Sequence, residues 1–152
     1  MPARIMKQVA QSHARQLALC GELEALADSL PANVDRQRCL HLARAVCRTV
    51  TEAQAVEETV LLPAVEAAGL AQPAMRETAD RLRWEHMSDL CVAEEIREAL
   101  LSLGKGEARA PAPEALGYLL RGFFEGVRRH IAFERELLAP QFLAGAVSRS
   151  AS

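Results

Sequence analysis

The sequence predicts an all-α protein folded as an up-down-up-down antiparallel four-helix bundle. Three observations lead there. Apolar residues recur at steps of three and four along four long stretches, the period of a helix with one buried face. Only three short breaks, marked by Pro, Gly and Asn, separate these stretches. Aromatic residues make up 4% of the chain while Ala, Leu, Glu and Arg abound, which favours helix over strand. Short loops between long amphipathic helices make sequence neighbours antiparallel.

The first helix covers roughly Arg4–Leu30, with Met6, Val9, His13, Leu17, Cys20, Ala27 and Leu30 on its inner stripe. Pro31-Ala32-Asn33 ends it, and Asn33 is the candidate N-cap of the next. The second, about Val34–Ala68, presents Cys39, Ala43, Val46, Val50, Ala53, Glu57, Val60 and Ala64, with Gly69 as C-cap. The third begins with Pro73 in its first turn and runs to Leu103, presenting Met75, Ala79, Leu82, His86, Leu90, Ala93, Ile96 and Leu100. Gly104-Lys105-Gly106 stops it. The fourth starts near Pro113 and aligns Leu116, Leu120, Phe123, Val127, His130, Glu134 and Leu137. Residues 1–145 form the bundle, and 146–152 a short polar tail, frayed from about Leu143 onward.

At 152 residues the chain is one domain with room for a real core. A net charge of −2 and the lack of a basic patch with interleaved aromatics exclude a nucleic-acid partner. No run approaches membrane-spanning length, and the first residues lack the apolar core of a signal peptide. Cys20, Cys39, Cys47 and Cys91 are widely spaced without a C-x-x-C pair and read as reduced core thiols, consistent with a cytoplasmic setting.

Polar residues interrupt the inner stripes. His130 and Glu134, four apart, lie on one helix face in slots that would ordinarily hold Leu or Val. A carboxylate and an imidazole buried together are costly unless paired or bound to a metal. At about 1.5 Å of rise per residue, depths can be compared across each hairpin. His13 lies 17 residues before Leu30, and Ala53 lies 18 after Asp35. Glu57 is 11 before Ala68 and His86 is 13 after Pro73; His86 is 17 before Leu103 and His130 is 17 after Pro113. His13, Glu57, His86, His130 and Glu134 are therefore expected in one layer, as a metal site. Imidazole with carboxylate suits iron, manganese or zinc, and ligand type alone does not choose among them. The second and fourth helices also echo each other: A53-Q-A-V-E57 and H130-I-A-F-E134 are each followed by a Pro six residues beyond the Glu, Pro63 and Pro140.

This pattern resembles the hemerythrin-like family, the HHE cation-binding domains, across essentially the whole chain. The matching residues are His13 in the first helix, Glu57, Glu58 and Pro63 in the second, Glu85-His86 in the third, and His130, Glu134 and Pro140 in the fourth. Ala53 stands where the family's second helix carries a His, and Leu90 where oxygen carriers have another on the third. The resemblance implies a non-haem di-iron centre with bridging carboxylates and imidazoles completing each shell. With Glu57 and Glu134 bridging, the chain offers four oxygen and three nitrogen donors, so several positions fall to water. Such a centre is expected to be open and reactive rather than tuned for reversible oxygen carriage.

Other residues weigh less. Glu58 reads as a solvated flank residue; Gln54 and Glu85 are candidates for orienting the imidazoles, with surface charge the competing reading. His41, about 24 Å along the second helix from Glu57, belongs to the surface. Cys20 and Cys47 are expected near one another above the polar layer, as core filling. Gly122 and Gly126 are read as permitting close helix approach, and Trp84 has no assigned role.

Three functions compete. One is a small iron protein that senses or handles oxygen, nitric oxide, peroxide or iron itself, binding a small molecule as monomer or homodimer. The second is an enzyme, a di-iron oxidase or peroxidase-like activity, although no residue stands out as a separate general acid or nucleophile. The third is a bundle with a degenerate metal site serving as a regulatory or interaction module.

Overall fold

A computed structural model describes the backbone of residues 3–67 and 73–150, and the side chains of 3–67, 77 and 79–136. Every element among the described residues is helical: α1 (Ala3–Ser29), α2 (Arg36–Val56), a π turn (Glu57–Leu61), α3 (Leu62–Ala67), α4 (Pro73–Gly104) and α5 (Pro113–Ser150). The segment α2–π turn–α3 is one rod, so four rods form the four-helix bundle. α1 packs against α2 and α5, α2 against α4, and α4 more lightly against α5. This closed circuit of neighbours is what short antiparallel connections require.

Most of the apolar core fills the half of the bundle nearest the α1–α2 and α4–α5 loops. Leu23, Leu42, Val46, Ile96, Leu100, Leu120 and Phe124 meet there. Two smaller clusters, Val9 with Leu61 and Val65, and Leu62 with Ala79 and Leu82, lie toward the other end. The polar layer sits between them.

Several details differ from expectation. The N-cap of α2 is Asp35, whose carboxylate accepts a hydrogen bond from the Arg38 amide at 3.0 Å; Asn33 instead donates its own amide back to Ser29. The Gly69 cap lies outside the described residues, as do the side chains of Met75, Leu137 and Pro140. α5 remains helical to Ser150, past the Leu143 at which fraying was expected. Among the described residues an added Cβ would meet nothing within 4 Å at Gly122 and only Arg129 of the same helix, at 4.0 Å, at Gly126; the close approach is at Gly104, where it would meet the Leu40 side chain at 2.8 Å and the Arg36 carbonyl at 3.0 Å. Gly106 adopts φ +68°, a left-handed turn that suits glycine, and ends α4 as anticipated.

The largest difference is the π turn. The expected inner stripe holds through Cys39, Ala43, Val46, Val50, Ala53 and Glu57, all buried. Beyond Glu57 the buried residues are Leu61, Leu62 and Val65 rather than Val60 and Ala64. The Leu62 amide bonds to the Glu57 carbonyl, five residues back, so the turn holds one residue more and the inward face slips by one. Pro63 supplies a reason: it lacks an N–H for the Thr59 carbonyl, and its ring would strike that carbonyl in regular α geometry.

Candidate metal centre

Each rod contributes to the layer. α1 carries His13, the start of the π turn carries Glu57, α4 carries His86, and α5 carries His130 with Glu134 one turn on. His13 and His86 are 4% exposed, Glu57 7% and Glu134 1%, while His130 is half-buried. The five side chains expected from the sequence do meet, in an alternating chain. His13 Nε2 is 2.5 Å from Glu134 Oε2, and Glu134 Oε1 is 2.7 Å from His130 Nε2. His130 Nε2 is also 2.5 Å from Glu57 Oε1, and Glu57 Oε2 meets His86 Nε2. The His86 and His130 rings stand edge to face, 6.4 Å between centroids.

The opposite edge of His86 is held as well: its Nδ1 lies 3.0 Å from Glu58 Oε1. An ionised carboxylate only accepts, so this imidazole nitrogen donates. Glu58, read from the sequence as a solvated flank residue, therefore orients His86 although its side chain is half exposed. Gln54 donates to the His86 backbone carbonyl at 2.8 Å rather than to an imidazole, and Glu85 pairs with Arg81 at the surface. His41 is exposed, as anticipated.

Burial alone would raise the Glu57 carboxyl, but hydrogen bonds from His130 and His86 outweigh it and bring it down to about 2. Burial works to lower His86, yet the bonds to Glu57 and Glu58 push it up to about 9. His130 is raised against its own burial by Glu57. His13 goes the other way: burial and the Arg135 guanidinium hold it below the ordinary imidazole range.

Beside the cluster lies a cavity of about 30 Å³ lined by Ala53, Gln54, Glu57, His86, Asp89 and His130, among others. The small Ala53 side chain, buried, leaves that space open. Asp89 stands at its rim, and burial raises its carboxyl while the His130 charge lowers it. Sequence reading did not single Asp89 out. The available signal was its place three residues after His86, on an adjoining part of the same helix face. Leu90, at the other position where the resemblance would place a His, packs against the apolar core instead.

The thiols take no part in the cluster. All four are free; Cys20 donates to the Phe124 carbonyl at 3.8 Å, Cys47 is beside Glu94, and Cys91 is exposed rather than in the core. Burial pushes the Cys20 thiol up to about 11, leaving it unreactive.

The donor set fits a cation. The ligand atoms of Glu57, His86 and His130 all lie within 4.8 Å of one another, so one ion at ordinary coordination distances can reach all three. His130 Nε2 carries at most one hydrogen but faces two carboxylate oxygens. With that hydrogen directed at Glu57, Glu134 Oε1 is left buried with no hydrogen-bond partner among the described residues. An unpartnered buried carboxylate oxygen is expensive, and a positive ion among these groups would satisfy it.

No helix among the described residues is long and apolar enough to cross a membrane. No curated protein and no solved structure matches the chain at a significant level. The family model described as the hemerythrin HHE cation binding domain does match, over residues 4–142. With four rods converging three imidazoles and two carboxylates on one layer, and that match spanning nearly the whole sequence, the chain belongs to the hemerythrin HHE cation-binding family.

Proposed function

We propose that this is a non-haem iron protein that senses or handles oxygen, nitric oxide, peroxide or iron, with His13, Glu57, His86, His130 and Glu134 forming the cluster that holds one or two ions. The observation that carries this reading is the grouping of Glu57, His86 and His130 donor atoms beside an unpartnered buried Glu134 oxygen. Iron bound there supplies one-electron chemistry and open positions for a small ligand. The chain's own residues hold and orient it: Glu58 fixes the His86 ring, and the apolar clusters on either side restrict water. The free thiols agree with a reducing, cytoplasmic setting.

The two substituted positions, Ala53 and Leu90, argue against reversible oxygen carriage, because they thin the imidazole set around the ions. The test is anaerobic iron loading followed by air, with metal content and visible spectrum read for the native chain and for His130→Ala. Iron bound by the native chain, lost in the variant and irreversibly oxidised by air is the expected result. Equal iron in both would overturn the metal reading, and oxygen recoverable under vacuum would overturn the rejection of carriage.

One observation favours a second reading, a bundle that acts as a regulatory module without metal. Each imidazole of the cluster already has a carboxylate partner, so the layer is largely self-compensating. Absence of any metal binding would select it.

A further inference from the structure

The cluster is not symmetric. On one side Glu57, His86 and His130 offer two imidazoles and a carboxylate within mutual reach of one ion. On the other side His13 is the single imidazole: among the described residues its Nε2 meets only Glu134 Oε2, and Ala53 contributes no donor. Two imidazoles with one carboxylate are enough for a tightly held ion with open positions. One imidazole sharing carboxylate oxygens with a neighbouring ion is a much poorer set.

The open positions have somewhere to face. The cavity of about 30 Å³ touches Glu57, His86 and His130 and reaches outward past Ala53 to Gln54 and Asp89. A water needs roughly 10–15 Å³ on this measure, so the space takes about two waters, or one diatomic or small linear molecule. A longer side chain at position 53 would fill it.

We propose that Glu57, His86 and His130 hold a single tightly bound cation, that the cavity beside Ala53 admits one diatomic molecule or small linear anion to it, and that His13 positions Glu134 instead of holding a second ion of comparable affinity. This rests on the metal-binding reading above and narrows it.

The test uses cobalt(II), whose visible spectrum reports its ligands, and azide as the small anion. The full-length metal-free chain is titrated with cobalt, then with azide, alongside His13→Gln, His86→Gln and Ala53→Val, with helicity checked by circular dichroism. One tight equivalent is expected in the native chain, kept in His13→Gln with affinity lowered by about 10–100-fold, the effect of losing a group that orients a ligand, and weakened further still in His86→Gln. Azide is expected to shift the native cobalt spectrum and to leave that of cobalt-loaded Ala53→Val unchanged. Two tight equivalents, or loss of the first in His13→Gln, would overturn the single-ion assignment while leaving metal binding standing. An azide response that survives in Ala53→Val would overturn the role of the cavity. No cobalt binding by the native chain would remove the metal reading itself, and this inference with it.

Discussion

Glu58 and His86 are joined by a 3.0 Å hydrogen bond on the imidazole edge opposite the one that meets Glu57. Two consecutive glutamates thus grip one ring, one at each nitrogen. Adjacent residues on a regular helix diverge by about 100°, which would turn Glu58 to the flank. Here the pair stands at the start of the π turn, the segment where the helix departs from that period.

Removing the outer carboxylate should loosen the metal without abolishing the site. Glu58→Gln is expected to lower metal affinity by about 10–100-fold, the usual effect of removing a group that orients a ligating histidine. Competition against a chromophoric chelator measures it. The same affinity in both proteins would show that the bond to His86 does not orient the ring.

Much of this arrangement could be read from the sequence because it depends on helical period and loop length. Apart from the C-terminal end of α5, the bounds of the helices fall within about two residues of those observed, and the depths counted across each hairpin bring His13, Glu57, His86, His130 and Glu134 together as found. Where the reading failed, the cause was local geometry. Val60 and Ala64 were assigned inward by a constant 100° step, which the π turn interrupts. Glu58 was assigned to solvent, where about half of its side chain does lie, and the bond it makes to His86 was missed. Gly104, not Gly122 or Gly126, marks the close approach, because that depends on where the α1–α2 loop delivers Arg36 and Leu40. Asp89 went unnoticed because only the cavity beside Ala53 gives it a neighbourhood.

Metal loading should stabilise the fold as well as colour it. A ligand that binds only the native state at 100 times its dissociation constant adds about 2.7 kcal/mol, worth roughly 5–10 °C of melting temperature for a chain of this size. Thermal melts of the metal-free chain with and without added iron(II), under anaerobic conditions, should show such a rise. His130→Ala should show little or none, since it removes one of the three grouped donors.

In the metal-free chain the cluster gives stability at acid and neutral pH that fails at both extremes. The Glu57 carboxyl is lowered from 4.5 to about 2, so its contribution is present above pH 4.5 and fades as pH falls toward 2. His86 is raised from 6.5 to about 9, so its contribution is complete below pH 6.5 and is lost as pH rises through 9. Both are in force between about pH 4.5 and 6.5. Urea midpoints measured across pH 3–10 should peak in that window, and His86→Gln should flatten the alkaline side. A native midpoint still rising between pH 7 and 9 would contradict the assigned pairing.

The glycines separate packing from function, since none belongs to the cluster. Gly122 lies in the exposed interior of α5, and an added Cβ there meets nothing within 4 Å. Its backbone is helical, so alanine removes unfolded-state freedom at no steric cost, and Gly122→Ala should stabilise by about 0.5–1 kcal/mol. At Gly104 the same change puts a methyl 2.8 Å from the Leu40 side chain and 3.0 Å from the Arg36 carbonyl. Leu40 can turn aside, but the Arg36 carbonyl belongs to the first turn of α2 and can yield only if the helix ends separate. Gly104→Ala should therefore destabilise by about 1–3 kcal/mol, the range for overpacking a fitted contact. Urea unfolding of the two variants should move the midpoints in opposite directions, while cobalt stoichiometry stays that of the native chain in both.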